Sequence, residues 1–174
     1  MPNIYYIPLV VCNNLPLLEC NIKALVKLRM NENYYRTLFL LSEIPVSWPS
    51  NFAIITAENP MDQKMTEVEN AKRTNRLIER MGQRKHTYML GCSENYSHQE
   101  KSFAVVIDFD EAVSIGKEFD QRAIFYVEQG KLLLVDCNNG ERTQMGNFED
   151  RIRKSKILRN TYLSKTNRQT KIGT

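Results

Sequence analysis

The sequence predicts an α+β fold: a mostly antiparallel sheet with helices packed on one face, followed by a basic C-terminal tail. From residue 52 onward, β-rich and amphipathic segments follow the order β-α-β-β-α-β-β. Gln129-Gly130 joins two β-rich segments as a tight hairpin, which favours antiparallel neighbours. No acidic residue follows Asp150, so the end of the chain is strongly basic.

The first fifty residues predict less regular structure. Residues 4–11 are typical of an edge strand because Pro8 interrupts them. Apolar residues recur at helical spacing over 17–30, and residues 34–41 are typical of a second strand. Residues 42–51 contain two prolines and are expected to form a loop.

The central segment carries clearer signals. Thr66 and Glu69 have capping-box spacing, so they begin a helix that is expected to end at Gly82. Asp108 or Asp110 is expected to cap a second helix. The β-rich segments predict strands at 52–57, 87–92, 101–107, 123–128 and 131–136.

Length and composition fit one domain, expected over residues 1–148. Residues 149–174 are expected to form a basic tail, helical at first and then disordered. The chain carries a formal net charge of +4, and residues 151–174 hold eight Lys or Arg and no acid. Such a tail either attracts nucleic acid or another anionic surface, or is a solubilising terminus.

Several classes of protein are disfavoured. No apolar segment is long enough to cross a bilayer and the start lacks a signal peptide's basic region, so we expect a cytoplasmic protein without membrane contact. The four cysteines match no zinc spacing, and only two histidines occur, so we expect no metal and no cofactor. Phosphate-loop, dinucleotide-binding and nucleophile-elbow motifs do not occur.

Polar residues follow the apolar strand that starts at residue 52, in the order Thr56-Ala57-Glu58-Asn59-Pro60. Alternation puts Thr56 and Glu58 on one face of the chain, where they are candidates for lining a ligand site. The other interpretation is a plain turn with a solvated Glu58.

Asn75 falls inside the arc formed by Met65, Val68, Ala71 and Ile78 on the first central helix. A buried amide needs a hydrogen-bond partner. Asn75 is therefore expected either to hold the loop at 56–60 or to face a ligand.

His98, Glu100 and Ser102 share one face of an extended segment. An imidazole beside a carboxylate is a candidate acid–base pair, to which Glu58 adds a second carboxylate. Ser102 lies roughly 13 Å along the strand from His98, too far for a direct hydrogen bond. The alternative is a polar strand start with a cross-strand ion pair at Lys101.

These motifs make residues 52–137 resemble an uncharacterised bacterial family, a domain of unknown function. The matching pieces are Thr56 to Pro60, Asn70 or Asn75 on the next helix, His98 to Phe103, and Phe119 to Phe125. The resemblance implies no reaction. It implies one polar cluster at one end of the sheet, formed by Thr56, Asn59, Asn75, Glu100, Ser102 and Gln121.

We therefore expect the domain to bind a phosphate-bearing ligand, a nucleic acid or a nucleotide, in a polar cleft at one end of the sheet. The residues expected to contact this ligand are Thr56, Asn59, Asn75, Lys101, Ser102 and Gln121, with Arg73 and Arg76 adding positive charge. Two alternatives stay open: a metal-independent hydrolase or transferase with His98, Glu100 and Glu58 as catalytic residues, and a protein-interaction regulator. The sequence decides neither whether the protein is an enzyme nor its oligomeric state.

Overall fold

The computed structural model describes residues 30–155. The strand predicted at 4–11, nearly all of the helix predicted at 17–30, and the tail beyond residue 155 lie outside this range. So do two of the four cysteines, whereas Cys92 and Cys137 are buried free thiols. Burial raises the pKa of Cys137 to about 12, so this side chain is a neutral thiol at physiological pH.

Within residues 30–155, eight strands form one mixed sheet, so the fold is α+β. Its strands are β1 (Leu38–Leu41), β2 (Asn51–Thr56), β3 (His86–Cys92), β4 (Gln99–Val105), β5 (Ala123–Glu128), β6 (Lys131–Asp136), β7 (Arg142–Asn147) and β8 (Ile152–Lys154). Their order across the sheet is β7-β6-β5-β2-β4-β3-β1-β8. Neighbours run antiparallel except β1 and β8, which are parallel.

Two α-helices lie in the described part of the chain, α1 (Glu67–Met81) and α2 (Phe109–Glu118). Thr66 and Glu69 form the predicted capping box at the start of α1. Asp108 caps α2 by accepting a 2.7 Å hydrogen bond from the backbone N–H of Glu111. Both predicted helix starts are thus confirmed by the hydrogen bonds that satisfy their first backbone donors.

Both helices bury side chains in a hydrophobic cluster with the sheet. From α1 come Leu77 and Met81, and from α2 come Ala112 and Ile115. The strands contribute alternate residues, which are Ala53, Ile55, Phe103, Val105, Ile124 and Tyr126. Because successive strand residues point to opposite faces, the intervening residues of β2 and β5 line the other side of the sheet.

Three predictions differ from the structure. The strand predicted at 34–41 is a 3₁₀-helix over Glu32–Arg36 followed by β1. Strand β7 was not predicted, because five of its six residues are exposed and no apolar alternation marks it. The helix predicted to begin at 149 is wrong over 152–154, since a 3₁₀ turn at Glu149–Arg151 leads into β8, where Ile152 is buried.

The two edge strands of the sheet, β7 and β8, are consecutive in the chain, so the sheet curls. Only residues 148–151 connect β7 to β8. The ring of Phe148, in this connection, lies 5.8 Å from the ring of Phe39 and 5.2 Å from that of Phe52, centroid to centroid. Burial of these aromatic rings holds the edges of the sheet close together.

Arg151 stabilises the connection between β7 and β8 through three hydrogen bonds. Its guanidinium donates to the carbonyl of Tyr35 at 2.9 Å, to that of Thr37 at 3.5 Å, and to that of Met145 at 3.4 Å. The first two carbonyls precede β1 and the third belongs to β7. Arg151 is therefore part of the folded domain rather than of a free basic tail.

Replacing Arg151 with Gln should lower the free energy of unfolding by about 2 kcal/mol, because three backbone carbonyls lose a charged donor. The measurement is urea unfolding, with Arg153→Gln as the matched control. Arg153 donates only to the nearby carbonyls of Asp150 and Ile152, so its loss should cost less. Equal midpoints for the two variants would contradict the assignment of Arg151 as the fastening residue.

Candidate functional site

A group of polar side chains, here called the polar cluster, lies where β2 ends and β4 begins. Its members are Glu58, Asn59, Asn70, Arg73, Thr74, His98, Glu100 and Gln121. The antiparallel pairing of β2 with β4 places Thr56 opposite Ser102, so residues just after β2 meet residues at the start of β4. The sheet register therefore brings together two motifs that lie about forty residues apart in the sequence.

Glu58 is buried, and its carboxylate is fully engaged. One oxygen accepts a 3.2 Å hydrogen bond from the hydroxyl of Thr74 on α1, and the other accepts a 3.0 Å bond from the backbone N–H of Lys101. The ammonium of Lys101 lies 3.6 Å from the first oxygen. A buried carboxylate needs such partners, so Glu58 ties α1 to β4.

Asn59 has a left-handed backbone with φ of 48°, a conformation that Asn tolerates better than most residues. Its backbone N–H donates to the side-chain oxygen of Asn70, and its own side-chain oxygen accepts from Asn70 and from the N–H of Met65, all at 3.0–3.1 Å. Its side-chain amide then donates to Glu100 at 2.7 Å. The turn after β2 thus positions a carboxylate at the start of β4.

The oxygen of Glu100 that accepts from Asn59 also lies 3.0 Å from Nε2 of His98. The side chain of Glu100 is 20% exposed, whereas that of His98 is 62% exposed. The hydrogen bond to Glu100 raises the pKa of His98 above its ordinary value, against an opposing effect of burial, and the charges of Glu100, Glu58 and Asp62 add to the rise. His98 is therefore an exposed imidazole held by a partly buried carboxylate.

Arg73 and Gln121 connect the cluster to the segment after α2. Arg73 donates to the carbonyl of Ala57 at 2.6 Å and also to that of Phe119, and it lies 3.7 Å from the carboxylate of Asp120. The buried amide of Gln121 donates to the carbonyl of Glu58 at 3.2 Å. These bonds satisfy backbone carbonyls, so the charge of Arg73 is not free for a ligand.

Three residues that sequence reasoning missed stand beside the cluster. Asp62 accepts a 2.7 Å hydrogen bond from the hydroxyl of Tyr34 and a 2.6 Å bond from Arg122. Burial and the bond to Asp62 raise the pKa of Tyr34, so its hydroxyl stays protonated. Arg122 lies within a segment that carries the family resemblance and could have been found there, but no local signal marks Tyr34.

The structure brings most of the predicted residues together. Thr56 accepts a 3.0 Å hydrogen bond from the N–H of Glu58, and the buried hydroxyl of Ser102 donates to the carbonyl of Glu100 at 3.3 Å. The other predicted residues lie in two sets of hydrogen bonds that meet at the adjacent residues Glu58 and Asn59. One set joins Glu58 to Lys101 and Gln121, and the other joins Asn59 to Glu100 and His98. These contacts place the residues and leave their functional roles as predictions.

Asn75 is the exception, because it is exposed and lies outside the cluster. The buried positions of α1 are Thr74, Leu77 and Met81, so the helix is rotated from the phase that the apolar arc predicts. Val68, in that arc, is 65% exposed. The interior side of α1 is polar near its start, and Asn70 takes the role expected of Asn75.

Backbone strain is concentrated around the cluster. Asn59, Met61, Asp62 and Asp120 are non-glycine residues with φ between 48° and 62°. Such conformations cost of order 1–3 kcal/mol each and persist where surrounding contacts fix them. One such contact is the 2.9 Å hydrogen bond from the N–H of Met61 to the carbonyl of Asp120. The site therefore has a defined, pre-organised backbone.

The chemistry available at the cluster is proton transfer and hydrogen bonding. Within residues 30–155, no group of three or more His, Cys, Asp or Glu is arranged to hold a metal ion. Every buried polar side-chain atom of the described residues has a hydrogen-bond partner. His98 thus provides the exposed ionisable group of a network that is otherwise internally satisfied.

Residues 55–124 match the model of a family described as "Protein of unknown function (DUF3293)". This match confirms the resemblance to a domain of unknown function, and it spans the whole polar cluster, from Glu58 to Gln121. Neither the curated proteins nor the solved structures include a match to the chain. No helix of the described residues is long and apolar enough to cross a membrane.

Replacing Glu58 with Gln should destabilise the fold by about 1–3 kcal/mol, because the new amide group presents donors where Thr74 or Lys101 also donates. Urea unfolding measures the effect. Glu94→Gln is the control, since Glu94 forms only an exposed ion pair with Arg36 and its loss should change little. A Glu58→Gln protein as stable as the control would show that the buried carboxylate does not hold the cluster.

Proposed function

We propose that this domain binds a phosphate-bearing ligand, a nucleic acid or a nucleotide, at the polar cluster, and that His98 contacts the phosphate. The observation that carries this proposal is that His98 is exposed while the groups that position it are partly or fully buried. A protonated imidazole is a charge-assisted hydrogen-bond donor to phosphate oxygens. Since Nε2 bonds Glu100, the second ring nitrogen is the donor assigned to the ligand.

The exposure of the neighbouring residues supports the choice of His98 over the other cations. Lys101 is paired with Glu58, Arg73 with Asp120, and Arg122 with Asp62, as His98 is with Glu100. The side chains of these three cations are 42%, 18% and 12% exposed, whereas that of His98 is 62% exposed. The raised pKa of His98 extends its cationic form to higher pH than for an ordinary imidazole, which suits an anion-binding role.

The basic end of the chain is the second part of the proposal. Residues 156–174 contain five Lys or Arg and no Asp or Glu, whereas residues 30–155 contain sixteen basic and nineteen acidic residues. We assign to residues 156–174 the long-range attraction of a phosphate backbone.

We also propose that both helices pack on one face of the sheet. The shared burial of Leu77 and Ile115 with Ile55 supports this arrangement.

Binding should weaken as pH rises through the raised pKa of His98, because the imidazole loses its charge. The measurement is anisotropy of a single-stranded oligonucleotide carrying a pH-insensitive dye, whose phosphodiesters do not titrate in this range. His98→Gln should bind about tenfold more weakly at low pH and show little pH dependence. A nucleoside diphosphate in competition tests whether a free nucleotide occupies the same site.

Two controls complete this experiment. His86→Gln removes the chain's other imidazole and should keep the weakening of binding as pH rises. A chain ending at Ser155 should show a smaller salt dependence while keeping the pH dependence. If His98→Gln binds with the affinity and pH profile of the unmodified chain, the phosphate contact is not at His98.

A second candidate is acid–base catalysis by His98 and Glu100 in a metal-independent hydrolase or transferase. The favouring observation is their 3.0 Å hydrogen bond, with Glu100 itself fixed by Asn59. A carboxylate in this position orients an imidazole and stabilises its charged form. Under this candidate, Glu100→Gln should retain ligand binding and lower turnover by roughly 10²–10⁴-fold, whereas the binding proposal predicts no turnover in any variant.

A further inference from the structure

A groove lies between the loop after β1 and the first residues of β3. It is lined by Pro45, Trp48, Pro49, Lys85, His86 and Thr87, among others. His86 pairs with Val105, whereas Cys92 pairs with Gln99 at the other end of the same two strands. The groove is therefore roughly 20 Å along β3 from the end of the sheet where His98 lies, and it is a separate feature of the molecule.

Trp48 gives the groove an aromatic wall that is held in place. Its ring is stacked with that of Phe52 at a centroid distance of 5.3 Å and an interplanar angle of 20°. The ring of Phe148 meets it edge-on at 4.9 Å. Trp48 is only partly buried by these contacts and still lines the groove. A rigid, partly exposed indole is a stacking surface for a planar ring.

Lys85 gives the groove positive charge on its rim. Lys85 is exposed, and its side chain forms no ion pair with any residue between 30 and 155. The ring of His86 is fixed by a 2.9 Å contact with the carbonyl of Arg84 and by edge contact with the ring of Phe103. Lys85 therefore differs from Lys101, beside the polar cluster, because the charge of Lys101 is compensated by Glu58.

We propose that this groove binds a nucleoside monophosphate, with its base against Trp48 and its phosphate near Lys85. An aromatic wall and an uncompensated cation on the same groove are complementary to a planar ring that bears a negative group. Thr87 adds a hydroxyl that can donate to or accept from the ligand. This site goes beyond the proposed function at His98 and shares no residue with it.

The experiment uses Trp48 itself, because it is the chain's single tryptophan. Adenosine monophosphate is titrated into the full chain while indole fluorescence is excited at the red edge, where adenine does not absorb. Saturable quenching is expected, and Lys85→Gln should raise the dissociation constant about tenfold. Lys117→Gln, an exposed lysine on α2, is the matched control and should leave the constant unchanged.

Two further ligands separate the contribution of the base from that of the phosphate. Adenosine, which lacks the phosphate, should bind about as weakly as adenosine monophosphate binds Lys85→Gln, and inorganic phosphate should not quench. His98→Gln should leave the quenching curve unchanged, so that failure of this site and failure of the site at His98 are distinguishable. Unsaturable quenching, or equal dissociation constants for Lys85→Gln and Lys117→Gln, would overturn the proposal.

Discussion

The rest of the site depends on the burial of the Glu58 carboxylate. A carboxylate removed from water must be matched by donors, and here these come from Thr74 on α1 and from the backbone of Lys101 on β4. The backbone carbonyl of Glu58 accepts a hydrogen bond from the side chain of Gln121, which lies beyond α2. One residue therefore ties a helix, a strand and a connecting segment together, and it fixes where the next residue, Asn59, begins its left-handed turn.

A series of hydrogen bonds leads from Asn59 to the surface of the domain. Its amide fixes Glu100, and Glu100 orients His98, so an exposed imidazole is held by a chain of bonds that begins in the interior. Every buried polar side-chain atom of the cluster has a hydrogen-bond partner among the described residues. We propose that ligand contact falls to His98, the exposed group at the end of this series of hydrogen bonds.

The sequence predicted the elements that depend on neighbouring residues in the chain, and it missed those that depend on distant contacts. Strands β5 and β6 were predicted with their observed bounds, because Gln129-Gly130 sets the hairpin and apolar residues fill both segments. The phase of α1 was not predicted, because its first buried position is filled by a polar residue, Thr74, which donates to Glu58. The contribution of Tyr34 depends on a contact 28 residues away in sequence, which no periodicity encodes.

The most direct test of this account is an NMR titration of the two histidines, assigned through His86→Gln. The pKa of His98 should lie above 6.5, its ordinary value, because Glu100 stabilises the imidazolium. It should fall in Glu100→Gln, and it should also fall in Asn59→Ala, which leaves Glu100 without the donor that fixes it. A His98 pKa that is the same in the unmodified chain and in both variants would contradict the claim that the buried cluster positions this imidazole.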